Sequence, residues 1–219
     1  MPVAEAPAAR GLAALISRSV VASVVIAVFV GFVWADATGL GGARPVWWLL
    51  PLVVVVAMRG AAEFAGLFRA GGLPIRGPLV QILTVLVGVS AALGPQPTLP
   101  TAPLAARAVQ VGWPAVALMG AIVALLAAEV CRYSRGTRAI DRVTAAVLVV
   151  AWLGLPLAFM VALRLVFEGA GQGHGGGTRA GILPLVSFVA VVKAGDIAAY
   201  LVGSLVGRRK MAPHLSPGK

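Results

Sequence analysis

Lys193, Asp196 and Tyr200 interrupt an otherwise apolar run, and Gly203, Gly207 and the basic triplet Arg208, Arg209 and Lys210 follow them. On a helix turning 100° per residue, with Asp196 as origin, Tyr200 falls at about +40°, Gly203 at about −20°, Gly207 at about +20° and Lys193 at about +60°. One narrow stripe therefore carries a cation, an anion, a phenol and two glycines. Asp196 lies roughly 16 Å along the helix from Gly207, and a charge that deep in hydrocarbon is costly and marks either pairing or function. Two chemistries fit. Lys193 and Asp196 could be an i,i+3 ion pair and nothing more. Alternatively, Asp196 holds Mg²⁺ in a water-filled cavity, because that ion takes one or two carboxylates together with phosphate oxygens and water. The adjacent cations would then face substrate phosphates, although they also suit a positive-inside anchor. Gly203 and Gly207 form a small-xxx-small pair that could admit a substrate, another helix or a second copy of the chain.

These residues must be positioned within a membrane. Of 219 residues, 60% are hydrophobic and only 11% charged, and the mean hydropathy is +0.97, far from a soluble domain with about a quarter of its residues charged. The net charge of +11 does not point to nucleic acid, since the basic residues sit in short clusters between apolar runs without an aromatic-interleaved basic face. The single cysteine, Cys131, excludes an intrachain disulfide and a thiolate metal cluster, and reads as a small core-filling residue.

Six apolar segments approach the ~20 residues that a bilayer requires: Ser19–Ala35, Pro45–Phe68, Pro78–Leu93, Trp113–Cys131, Val143–Phe167 and Gly181–Val206. The first is followed by "WADA", a faint cleavage-site pattern, but its apolar run is long and five more follow, so it reads as an uncleaved anchor. Thirteen basic residues flank one side of these spans and four (Arg44, Arg107, Arg164, Arg179) the other. That asymmetry predicts a six-span all-α bundle with both termini cytoplasmic: a cytoplasmic segment over 1–18, a transmembrane domain over 19–207 and a basic tail over 208–219.

Several other features read as structural. Arg59 with Glu63 and Glu129 with Arg132 have the spacing of ion pairs within one helix. Trp47, Trp48 and Trp113 suit an interfacial belt. Residues 94–103 read as an extended linker. The glycine-rich stretch 168–181 follows no strand and lacks the Gly-Lys-Ser/Thr ending of a phosphate loop, so it is not expected to bind nucleotide, and His174 within it has no companion ligand.

The stretch "GDIAAYLVGSLVGRRKMAPHLSPGK" closely resembles the phosphatidate cytidylyltransferases, also called CDP-diacylglycerol synthases. Their pattern of Asp, Ala-Tyr, Gly-xxx-Gly, basic residues, Pro and Ser-Pro-x-Lys is matched here by Asp196, Ala199-Tyr200, Gly203, Gly207, Arg208–Lys210, Pro213 and Ser216 to Lys219. The match is specific over about 25 residues of the pattern; Glu63 and "GLPLAF" agree with the family more loosely.

The resemblance implies a multi-pass enzyme of the plasma (inner) membrane that joins CTP to phosphatidate, a membrane lipid, giving CDP-diacylglycerol and pyrophosphate with Mg²⁺. Asp196 would be the metal ligand and, with Lys219, catalytic. Lys193, Tyr200, Gly203, Gly207, Arg208, Arg209, Lys210 and Ser216 would serve substrate and phosphate. The family continues beyond Ser-Pro-x-Lys into further spans and a second acidic signature. The expectation is therefore an N-terminal portion, inactive alone. Two other classes stay open: an ion-coupled transporter using Lys193 and Asp196, and a non-catalytic membrane scaffold, although no internal repeat of the kind many transporters carry is visible.

Overall fold

A computed structural model of the chain describes residues 7–42, 46–94, 104–133, 138–166 and 181–205. They form helices α1 (Pro7–Thr38), α2 (Leu50–Ala70), α3 (Gly77–Leu93), α4 (Leu104–Val130), α5 (Ala139–Val149), α6 (Leu155–Val166) and α7 (Ile182–Leu205). No strand occurs among the described residues. α5 and α6 are one 28-residue span, Ala139–Val166, joined through a π-helical turn at Val150–Gly154. The cause is local. Pro156 has no N–H to give and its ring would meet the carbonyl one turn back, so the ladder widens ahead of it.

The six expected spans are thus six helical segments of an α-helical membrane bundle. Four are long and apolar enough to cross a bilayer, while Ser23–Thr38 and Gly77–Leu93 are shorter apolar helices. The short α3 is also the most enclosed. Val80, Thr84, Val87 and Ala91 on it are fully buried, so its neighbours rather than lipid surround it. α2 reaches α3 with a stripe at four-residue spacing, Val53, Ala57, Ala61 and Ala65, whose small side chains allow close approach. At the π turn, a Cβ on Gly154 would stand 2.9 Å from Val87 Cγ1 and 3.4 Å from the Thr84 carbonyl oxygen, so glycine lets α3 press against the widened turn. The hydroxyls this burial removes from solvent are satisfied within α3: Thr84 Oγ1 donates to the Val80 carbonyl at 2.7 Å and Ser90 Oγ to that of Val87 at 2.6 Å.

Three structural expectations change. Arg59 and Glu63 are both exposed, opposite the buried stripe of α2, and make no ion pair with each other among the described residues. Glu129 pairs with Arg142 of α5 rather than with Arg132, because α5 packs beside α4 and brings Arg142 to the carboxylate. Cys131 is exposed at the turn after α4 rather than filling the core. Trp113 lies half-buried over Gly94, where a Cβ would fall 2.5 Å from its ring; packing against the end of α3, besides any interfacial preference, fixes it. Residues 95–103 and 167–180, including His174, lie outside the described residues.

Candidate functional site

α7 carries the sequence-predicted stripe as one continuous helix through Leu205. Lys193 Nζ donates to Asp196 Oδ2 at 3.3 Å, and the two side chains are 70% and 66% exposed. Tyr200 is 74% exposed, and a Cβ built on Gly203 would meet nothing within 4 Å. The four therefore share an open face of α7, a helix that packs against α6 and is otherwise nearly bare. Gly207, Arg208, Arg209, Lys210, Ser216 and Lys219 lie outside the described residues. Among the described residues no group of three or more His, Cys, Asp or Glu side chains could hold a metal ion. Asp196 can therefore contribute a single carboxylate, which fits Mg²⁺ only where phosphate oxygens and water complete its shell.

A second polar pair was not foreseen from the sequence. Arg164 of α6 donates from Nε to Asp36 Oδ2 of α1 at 2.8 Å, and both side chains are fully buried. Gly181 abuts the same arginine: a Cβ there would come within 2.6 Å of Arg164 Nη1. The pair thus gathers the last turn of α1, α6 and the start of α7. Asp36 Oδ1 and both Arg164 Nη atoms are buried without a hydrogen-bond partner. The sequence held a usable signal. α1 and the fifth span run in the same direction, so a lone acid and a lone base near their C-terminal ends share one level of the bundle.

A third polar region lies at the opposite end. A cleft of about 490 Å³ opens between the α2–α3 connection with the start of α3 on one side and the C-terminal end of α4 with the start of α5 on the other. Arg69, Arg76, Arg132 and Arg142 line it, together with one acidic side chain, Glu129. Arg142 Nε donates to Glu129 Oε1 at 3.0 Å and its Nη2 reaches the same oxygen. Two of the basic flanks used to orient the chain thus share one end of the bundle.

The model of the cytidylyltransferase family matches residues 16–219. The chain belongs to the cytidylyltransferase family. As a cytidylyltransferase it is a CTP-using nucleotidyltransferase, and its apolar helices make it a membrane protein. The match also extends the likeness well beyond the 25 or so residues around Asp196, over α2 to α6 and most of α1. No curated protein and no solved structure matches the chain.

Proposed function

We propose that this cytidylyltransferase transfers the cytidylyl group of CTP to phosphatidate, releasing pyrophosphate and leaving CDP-diacylglycerol in the membrane. The observation that carries the reading is the coincidence of a family match over residues 16–219 with the Asp196-Tyr200-Gly203 stripe on a membrane helix. A phosphate oxygen of the lipid attacks the α-phosphorus of CTP, a P–O bond forms, and the bond to the β-phosphate breaks. Such a step brings two anions together, so it depends on fixed cations and on screening of the leaving pyrophosphate rather than on a covalent enzyme intermediate. Asp196 would hold the Mg²⁺, whose role is that screening, and Lys193 keeps the carboxylate oriented. Arg208, Arg209, Lys210, Ser216 and Lys219 are the proposed phosphate ligands.

The test is an assay of membranes from cells expressing the protein from its own chromosomal locus. Labelled CTP should become CDP-diacylglycerol when phosphatidate and Mg²⁺ are supplied. Use of a polyprenyl phosphate while phosphatidate is refused would overturn the choice of acceptor.

The same reading puts the protein in the plasma membrane as a multi-pass bundle, with its basic flanks toward the cytoplasm. Cys131 provides a native probe, being the chain's single cysteine and exposed at the basic end. A membrane-impermeant maleimide should label it in inside-out vesicles and leave it unlabelled in right-side-out ones. The reverse pattern would invert the topology.

A further inference from the structure

The basic cleft has a composition that anchoring in a membrane does not require. Positive-inside arginines need only lie near the headgroups, on any side of the bundle. Here four of the 15 lining residues are arginines converging from two regions distant in sequence, Arg69 and Arg76 around the α2–α3 connection and Arg132 and Arg142 from the end of α4 and the start of α5, and the one lining carboxylate is already engaged by Arg142. Arg69, Arg76 and Arg132 have no carboxylate partner among the described residues. Three guanidinium charges are therefore left without a counter-charge around one concavity, where mutual repulsion is relieved by an anion.

The geometry adds direction to that charge. α3 begins at Gly77 without a side-chain cap and residues 77–80 of its first turn line the cleft, so the partial positive end of the helix dipole faces it. Arg69 Nη2 lies 3.9 Å from where a Cβ on Gly77 would be, which places the guanidinium against that end of the helix. The floor is rigid, since the lining residues Ile75, Val80, Leu125 and Ala146 belong to the main buried core cluster. Glu129 holds Arg142 from one side, which leaves Arg142 Nη1 available. A planar fork of donors is suited to phosphate oxygens, which accept two parallel bonds from one guanidinium.

We propose that this cleft binds a phosphate group, with Arg69, Arg76, Arg132 and Arg142 as its ligands, at a position separate from the α7 stripe, which contributes no residue to the lining. The phosphate belongs either to an anionic lipid headgroup at the membrane surface or to a soluble polyphosphate. The volume accommodates the phosphate with its attached glycerol or nucleoside. The inference does not depend on which lipid accepts the cytidylyl group.

The test uses the full chain in phosphatidylcholine nanodiscs. Binding is measured by titration calorimetry with inorganic pyrophosphate in one arm, and by native mass spectrometry of nanodiscs doped with phosphatidate in the other. Arg76→Gln and Arg132→Gln should each weaken binding about tenfold in at least one arm, while Arg76→Lys retains part of it because the charge remains. Arg138→Gln is the control: Arg138 pairs with Asp141 and does not line the cleft, so it should bind as the parent does. Loss confined to pyrophosphate identifies a soluble occupant, and loss confined to phosphatidate a headgroup; both sustain the site. Unchanged affinity in both arms, with both Gln variants eluting as the parent does on gel filtration, overturns it.

Discussion

Asp36→Ala should destabilise the protein by about 3–5 kcal/mol, the usual cost of leaving one member of a buried ion pair without its partner. The expectation rests on complete burial of both side chains and on a single direct bond, Arg164 Nε to Asp36 Oδ2 at 2.8 Å. Removing the carboxylate strands a guanidinium whose two Nη atoms already lack partners, and neither lipid nor core side chains can solvate it. Arg164→Leu should do comparable damage from the other side. By contrast, Asp36→Leu combined with Arg164→Met should recover most of the loss, because apolar groups of similar size replace a desolvated pair at little net cost. Thermal unfolding in detergent, read by loss of monodisperse protein on gel filtration, distinguishes the cases. If Asp36→Ala melts within error of the parent, the pair is not what holds α1 to the bundle. Among the described residues α1 buries only Ala35 and Asp36 near its C-terminal end, so limited proteolysis of this variant should cut first between α1 and α2.

The bundle was legible in the sequence because hydrophobic runs of bilayer length leave the backbone few alternatives to helices. The expected Pro78–Leu93 became Gly77–Leu93, and the last span is helical from Ile182 through Leu205, the last of the described residues. α4 starts earlier than expected, at Leu104, since the polar residues ahead of Trp113 do not stop a helix. What could not be read were contacts between spans. Glu129 and Arg132 have ideal spacing within one helix, yet Arg142 across a turn takes the carboxylate. Asp36 and Arg164 are 128 residues apart, and nothing in the sequence between them says that the end of α1 reaches α6. The α7 stripe was visible because it lies on one helix, where periodicity alone fixes which residues share a face. The four arginines of the cleft were visible as charges but not as a group, since nothing in a linear pattern says that the end of α2 and the start of α5 line the same space.

Asp196→Asn is the sharper test of chemistry, because it removes a charge while preserving shape. In the structure Asp196 is held by Lys193 at 3.3 Å on an open face of α7, and an exposed pair of this kind contributes under about 1 kcal/mol to stability. Folding and melting temperature should therefore stay close to those of the parent. If Asp196 carries Mg²⁺ together with the phosphates of CTP, the same substitution should lower the rate of CDP-diacylglycerol formation by about 100-fold or more, the usual scale for losing one charged group that stabilises a phosphoryl-transfer transition state. It should also raise the Mg²⁺ concentration needed for half-maximal rate. Lys193→Gln separates the two roles of the pair. As a positioning residue Lys193 should cost about tenfold, with the Mg²⁺ requirement little changed, and Lys193→Arg should recover much of that loss. Were the pair only a means of keeping two charges company within an apolar helix, both substitutions would be equally mild. Wild-type rate and Mg²⁺ dependence in Asp196→Asn, assayed in the protein expressed from its own locus, would remove Asp196 from the site. A large loss in Asp196→Asn with intact folding would tie the exposed face of α7 to the reaction, since an i,i+3 pair of this exposure has too little structural effect to account for it.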